Sequence, residues 1–146
     1  MRLIRWNQHA LLVFLVVVWL PSLAVGVSQY DGSYTGTIEC DQIPGHTRGP
    51  LKAGFFLKIA SGQAEYERWH VRPAAAGLGA TERGTGTVSS TGEVSLTSET
   101  GGVAHQATYR GQIDGKLLRL SGIQVWQLPD KVNYKRPCTI AVSRSE

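Results

Sequence analysis

The segment LKAGFFLKIASGQAEYERWHV, residues 51–71, carries the pattern that decides the fold. In its first part every second residue is apolar, which gives an extended strand one face made of Leu51, Ala53, Phe55, Leu57 and Ile59. The dipeptide Ser61-Gly62 interrupts this run, and a second extended run follows over residues 64–71. Alternation with a period of two on both sides of a short glycine-containing turn predicts a β-hairpin with one buried face.

The same alternation recurs on both sides of this hairpin. Further short runs, most of them separated by turns that contain glycine, begin at Tyr34, Arg83, Val94, Ala107, Leu118 and Cys138. No stretch after residue 26 keeps an apolar period near 3.6, so almost no helix is expected. Eight sequential strands predict an all-β antiparallel up-and-down meander, which at this number of strands closes into a small barrel. The alternative is a β-sandwich, because eight short strands can also form two packed sheets.

Glycines recur on the predicted inward faces of three strands. Gly36 and Gly111 each follow a tyrosine two residues earlier, and Gly84 and Gly86 form a similar pair. A missing side chain on an inward face lets a neighbouring ring lie flat, or lets the strand bend sharply. These glycines are therefore interpreted as a packing device of the barrel interior.

The seventh strand contains a shift of phase. Leu118 and Leu120 alternate regularly, but the next apolar pair is Ile123 and Val125, which lies on the opposite face. One extra residue at Ser121-Gly122 would restore the inward face, so a β-bulge is predicted there. With that bulge, Trp126 is expected to point outward.

Residues 1–26 differ in character from the rest of the chain. Arg2 and Arg5 precede an uninterrupted apolar run over residues 10–20. A positive start, a short apolar centre and small residues after it are typical of a secretory signal peptide. The run has eleven residues, short of the roughly 20 that a membrane-spanning helix requires.

Cleavage is predicted after Ala24 or Gly26, which leaves a single domain over residues 27–146. Without Arg2 and Arg5, the 15 Lys and Arg residues become 13 against 11 Asp and Glu, a net charge of +2. That charge is too small for a polybasic nucleic-acid binder, and the leader also argues against a nucleic-acid partner. We expect a periplasmic or secreted protein with no stable membrane anchor after cleavage.

The two cysteines of the chain, Cys40 and Cys138, lie in the first and last predicted strands. In an oxidising compartment such a pair is expected to form a disulfide. The disulfide would tie the first strand to the last on their inward faces, which supports closure of the barrel.

Motifs that carry catalysis are absent from the sequence. It contains no GxSxG, HExxH, P-loop or EF-hand pattern. The histidines that follow the leader, His46, His70 and His105, lack the spacing of metal ligands. We therefore expect neither a cofactor nor a metal, and a binding role is favoured over catalysis.

The third predicted strand is the exception to clean alternation. If Tyr66 points inward, strict alternation carries Arg68 and His70 inward too. A buried guanidinium without a partner costs several kcal/mol, so it would require a buried acid or an anionic ligand. Tyr66, Arg68 and His70 are therefore the candidate ligand-binding residues. Two alternatives need no ligand: a bulge near Glu67-Arg68 that turns Trp69 inward and leaves Arg68 and His70 in solvent, or a strand end at the barrel rim, where polar residues are ordinary.

Loops supply a second candidate surface. Lys131, Lys135 and Arg136 surround Tyr134, and residues 41–50 and 128–136 could form a contact surface for a protein. The sequence thus predicts an exported, non-catalytic barrel that binds a small anionic or amphipathic ligand or a protein partner. The alternatives are a small exported enzyme that uses the polar third strand and an inhibitory or structural interaction module.

Overall fold

The computed structural model describes residues 28–43, 49–70, 82–98, 105–127 and 133–145. These residues form eight antiparallel strands that pair in chain order, and the last strand pairs with the first. The strands are β1 (Gly32–Cys40), β2 (Leu51–Ala60), β3 (Gln63–His70), β4 (Glu82–Val88), β5 (Glu93–Ser98), β6 (His105–Asp114), β7 (Leu117–Gln127) and β8 (Asn133–Arg144). The prediction of a closed eight-stranded meander barrel is confirmed. The sandwich alternative is wrong, because the hydrogen-bonded ladder is continuous around the sheet.

The two ends of the barrel differ in how their strands are connected. At one end, which we call the turn end, short connections at residues 61–62, 89–92 and 115–116 join consecutive strands. At the other, the long-loop end, four longer connections join β1 to β2, β3 to β4, β5 to β6 and β7 to β8. Because loops carry binding residues more often than the strands that support them, the long-loop end is the first place to look for a site.

The interior is filled by side chains from every strand. Burial alternates along each strand as the period-two pattern predicts. The largest fully buried apolar and aromatic side chains are Tyr34, Ile38, Ile43, Leu57, Ile59, Tyr66, Leu96, Tyr109, Leu118 and Ile140. All but Ile43 belong to one continuous cluster, so the described part of the barrel has a single core.

Two tyrosine rings lie directly on glycines of the neighbouring strand. Tyr66 is paired in register with Gly84, and Tyr109 with Gly122. A Cβ on Gly84 would overlap the carbonyl oxygen of Thr97 and the Tyr66 ring, and a Cβ on Gly122 would overlap the carbonyl oxygen of Thr108 and lie 2.6 Å from Cδ1 of Tyr109. Gly84 thus makes room for a ring, as predicted, and so does Gly122, which was not identified from the sequence; Gly36 and Gly111 instead lie against the backbone of the neighbouring strand.

Gly84→Ala is expected to lower the free energy of unfolding by about 1–3 kcal/mol, because both the backbone at Thr97 and the Tyr66 ring must shift to admit the added Cβ. Urea denaturation followed by tryptophan fluorescence measures this loss. The matched control is Gly54→Ala on β2, where the nearest atom to an added Cβ is 3.9 Å away. That control is expected to be neutral or stabilising by up to about 1 kcal/mol, because alanine suits a strand better than glycine. Equal losses in the two variants would contradict this account of Gly84.

The prediction of a bulge in β7 is wrong. Pairing with β6 continues without interruption from Leu117 to Trp126. The side chains of Gln124 and Trp126 are consequently buried, and Ile123 is 41% exposed. Trp126 points inward, contrary to the prediction. A polar residue occupies the inward position because Gln124 has hydrogen-bond partners inside the barrel.

The start of the described chain lies against the turn end. Arg144 Nη1 donates to the carbonyl oxygen of Gln29 at 3.0 Å, and Nη2 donates to that of Asp31. Asp31 Oδ1 accepts from the backbone N–H of Ser61 at 2.9 Å. These bonds attach residues 28–31 to β8 and to the turn between β2 and β3.

The disulfide between Cys40 and Cys138 is present, with an S–S distance of 2.05 Å. The two residues face each other across the β1–β8 pairing, and both are buried. The prediction of a covalent tie between the first and last strands is confirmed. A buried disulfide is typical of proteins outside the reducing cytosol.

Some sequence predictions lie outside the described residues. These include the leader over residues 1–26, its cleavage after Ala24 or Gly26, and His46. Across the ranges given above, the chain has no helix with the length and apolar character needed to cross a membrane.

Candidate binding site at the long-loop end

Arg68 points into the barrel. Alternation in β3 continues without a bulge, so Tyr66 and Arg68 are buried and Trp69 is 41% exposed. The alternative with a bulge near Glu67-Arg68 is therefore wrong. Arg68 lies close to the end of its strand, as the rim alternative supposed, but it is only 4% exposed.

The buried guanidinium has an acidic partner in Glu82. Arg68 Nε lies 3.3 Å from Glu82 Oε2, and the two side chains are 5% and 0% exposed. The residues are paired in register between β3 and β4. The sequence pattern called for a buried acid or an anionic ligand, and it did not point to Glu82 because the fourth strand was predicted to begin at Arg83. Alternation carried two residues back from Gly84 places Glu82 on the same inward face.

Glu82 is the centre of a hydrogen-bond network. Its Oε1 accepts from the hydroxyls of Tyr66 at 3.0 Å and Tyr109 at 2.9 Å. Its Oε2 accepts from Arg68 Nε and from Gln124 Nε2, the latter at 2.9 Å. Each carboxylate oxygen thus accepts at least two hydrogen bonds, which is how a buried charge becomes tolerable.

Gln124 and Trp126 extend this network across β7. Gln124 Nε2 also donates to the Tyr109 hydroxyl at 3.1 Å, and Trp126 Nε1 donates to Gln124 Oε1 at 3.2 Å. We call the whole set the Glu82 network, and its members are Tyr66, Arg68, Glu82, Tyr109, Gln124 and Trp126. It draws side chains from four strands, β3, β4, β6 and β7, into one buried polar cluster.

The tyrosines of the network are fixed as hydrogen-bond donors. Burial raises the pKa of Tyr66 and Tyr109 far above the usual 10.0, and the negative charge of Glu82 raises it further. Both phenols are therefore protonated at physiological pH. Their rings join Phe55 in an aromatic group, with Phe55 stacked on Tyr66 at 5.0 Å and Tyr109 edge-on to Tyr66 at 5.9 Å. Polar and aromatic surfaces thus meet in the same part of the barrel.

The third predicted ligand residue, His70, ends β3. Its backbone is paired with Ala53 of β2, which places it at the long-loop end. Its side chain lies outside the described part of the structure. The structure thus brings Tyr66 and Arg68 together through Glu82 and places the His70 backbone two residues beyond Arg68.

The basic loop cluster is not a uniform exposed patch. Arg136 is only 4% exposed. Its Nε donates to the carbonyl oxygen of Asp41 at 2.6 Å, and its Nη2 donates to that of Gly49 at 3.2 Å. Lys135 is exposed, and Lys131 lies outside the described residues. Arg136 therefore connects β8 to both sides of the connection between β1 and β2.

Within the described ranges, no group of three or more His, Cys, Asp or Glu side chains is placed to hold a metal ion. Comparison of the chain with models of protein families finds no match, and comparison with the curated proteins finds no relative.

Proposed function

We propose that this protein is an exported, non-catalytic binding barrel that takes a small amphipathic anion at its long-loop end. Tyr66, Arg68 and His70 are the residues assigned to that site. Export to the periplasm or beyond is supported by the leader pattern of residues 1–26 and by the buried disulfide between Cys40 and Cys138.

The observation that carries the proposal is the buried ion pair between Arg68 and Glu82. Replacing a buried ion pair by apolar residues of similar size is often neutral or stabilising. The rest of the described interior is largely apolar, so the fold itself does not require charge at this point. The buried Arg68–Glu82 pair lies at the long-loop end, beside the connections between strands. Ligand recognition therefore explains its presence better than core packing does.

The chemistry around Arg68 indicates the class of ligand. A guanidinium binds carboxylate and phosphate groups through parallel hydrogen bonds. The aromatic group of Phe55, Tyr66 and Tyr109 lies against the same network, within the filled core. An anionic head group on Arg68, with an apolar tail that displaces core side chains beside these rings, uses both features. An eight-stranded barrel holds either a core of side chains or one small ligand.

Binding is favoured over the alternative of a small enzyme. A general base must be able to accept a proton, yet both oxygens of Glu82 already accept hydrogen bonds from this chain. Tyr66 and Tyr109 hold their protons firmly, because burial raises the pKa of both. These groups fix a geometry and are poorly suited to proton transfer.

The test compares two probes with the same apolar tail and opposite charges, dodecanoate and dodecyltrimethylammonium, both below their micelle concentrations. Isothermal titration calorimetry on the secreted, oxidised protein is expected to give at least tenfold tighter binding of dodecanoate. The variant Arg68→Met/Glu82→Gln removes both charges together, so no unpaired charge is left buried. It is expected to bind dodecanoate at least tenfold more weakly than the native chain.

The matched control is Arg83→Met/Glu67→Gln, which removes an ion pair on the outer wall one residue further along the same two strands. Its affinity for dodecanoate is expected to be unchanged. Equal affinity for the two probes, no binding of either, or full affinity in the Arg68→Met/Glu82→Gln variant would each refute the ligand site.

A protein partner is the second candidate, favoured by the way in which Arg136 holds the connection between β1 and β2 at Asp41 and Gly49. A loop that is fixed at two points is preorganised for recognition, because it loses less conformational entropy on binding. A stoichiometric partner recovered from the envelope fraction by the native chain, and lost with Lys135→Glu, would support this candidate. Recovery of none would contradict it.

A further inference from the structure

Four hydrogen-bond donors surround a single carboxylate inside the barrel. The hydroxyls of Tyr66 and Tyr109 donate to one oxygen of Glu82. Gln124 Nε2 and Arg68 Nε donate to the other oxygen. An ionised carboxylate can only accept hydrogen bonds, and it accepts them on its two oxygens. The four donors, one of them a cation, therefore match a carboxylate in number, in direction and in charge.

Contacts that do not involve Glu82 hold the two tyrosine donors in place. The Tyr66 ring is stacked on Phe55 at 5.0 Å and lies against Gly84. The Tyr109 ring is edge-on to Phe55 at 6.3 Å and edge-on to Tyr66 at 5.9 Å. Burial raises the pKa of both phenols, so both hydroxyls keep the protons that they donate.

The amide donor is oriented independently of Glu82 as well. Trp126 Nε1, which can only donate, bonds to Gln124 Oε1 at 3.2 Å. The amide nitrogen of Gln124 consequently points towards the carboxylate. Because the donors are held by other contacts, little conformational entropy is lost when a carboxylate binds among them.

Glu82 occupies this arrangement of donors but does not build it. Glu82 is the first residue of β4 and lies at the long-loop end. A guanidinium alone binds carboxylate and phosphate groups alike. Two donors for each of two oxygens match a flat carboxylate, whereas phosphate and sulfate carry further oxygens. The position of the Glu82 carboxylate among these donors thus selects the class of anion.

We propose that Tyr66, Arg68, Tyr109 and Gln124 form a binding site for one carboxylate, which we call the carboxylate site. Glu82 fills this site in the native chain, and the head group of the ligand is a carboxylate that takes its place. The second statement rests on the function proposed above, whereas the first does not. Glu82 is then an internal competitor, because the ligand binds only those molecules whose Glu82 side chain has left the site.

Stabilisation of Glu82→Ala by acetate tests the carboxylate site. The substitution removes Cγ and the carboxylate, which are the atoms of acetate, and keeps the four donors. Thermal unfolding followed by circular dichroism is expected to show a saturable rise in Tm, by about 4 °C or more at about 100 mM acetate, because acetate binds the folded state. Acetamide, which is uncharged, and methanesulfonate, which is tetrahedral, are expected to have no such effect at equal ionic strength. If the variant needs help to fold, every sample contains sucrose, which stabilises compact states.

Two further variants are the matched controls. Glu82→Gln fills the carboxylate site with a neutral side chain, and Arg68→Met/Glu82→Ala lacks the guanidinium. Acetate is expected to leave the Tm of both unchanged. Equal rises with acetate and methanesulfonate, equal rises in Glu82→Ala and Glu82→Gln, or no rise in Glu82→Ala would each overturn the carboxylate site.

The affinity for dodecanoate tests the exchange of Glu82 for the ligand. Because Glu82→Ala has no internal competitor, calorimetry is expected to give a Kd at least tenfold lower than that of the native chain. Equal or weaker binding would overturn the exchange. If acetate stabilises Glu82→Ala but neither chain binds dodecanoate, the proposed function is wrong and the carboxylate site stands. If the native chain binds dodecanoate but acetate has no effect on Glu82→Ala, the carboxylate site is wrong and the proposed function stands.

Discussion

Replacing Glu82 by alanine is expected to lower the free energy of unfolding by about 3–5 kcal/mol, the usual cost of breaking a buried ion pair from one side. The substitution leaves the Arg68 guanidinium buried without its carboxylate. It also removes the acceptor for Tyr66, Tyr109 and Gln124. Urea denaturation followed by far-UV circular dichroism measures the loss.

The outer wall supplies the matched control, because Glu67 and Arg83 form an ion pair between the same two strands with both side chains partly or largely exposed. Glu67→Ala is expected to cost less than about 1 kcal/mol. A double variant, Arg68→Met/Glu82→Leu, is expected to be more stable than Glu82→Ala, because it buries no unpaired charge. If Glu82→Ala cost no more than Glu67→Ala, the Glu82 network would not stabilise the fold.

Removing the disulfide is expected to have an effect of similar size. Cys40 and Cys138 are separated by 98 positions in the chain. A crosslink that closes a loop of this length lowers the entropy of the unfolded chain by the equivalent of about 4–5 kcal/mol. The variant Cys40→Ala/Cys138→Ala should therefore unfold at a much lower urea concentration, as measured by tryptophan fluorescence.

Chemical reduction provides an independent comparison. Dithiothreitol is expected to destabilise the native chain by about as much as the double substitution does, and to leave the substituted chain unaffected. A loss below about 1 kcal/mol in both experiments would mean that the unfolded chain is already compact or that the seam between β1 and β8 holds without the bond.

The strands were predictable from the sequence, because burial on one face leaves a period of two that any single strand displays. Residues 51–60 are the clearest case, since each inward residue is apolar. Alternation also offered the inward position of Arg68, but it left a bulge and a rim position open. The predicted bulge in β7 is wrong because it presupposes that every inward residue is apolar. Gln124 breaks that assumption.

The Glu82 network could not be predicted in the same way. A buried amide or carboxylate is identified by its partners, and those of Glu82 lie 14, 16, 27 and 42 positions away in the chain. Alternation tells which face a residue occupies, but it does not tell which residues of distant strands share a level of the barrel. That information depends on the register between strands, which the closed ladder provides.

The bonds of Arg144 to Gln29 and Asp31 also hold the start of the described chain at the turn end. Residue 28 lies at the turn end, and so does Ser145, whose backbone N–H donates to Ser33. Both ends of the described chain therefore lie at the turn end, opposite the long-loop end. A carrier joined to the chain at residue 28 or at residue 145 would therefore leave the long-loop end accessible.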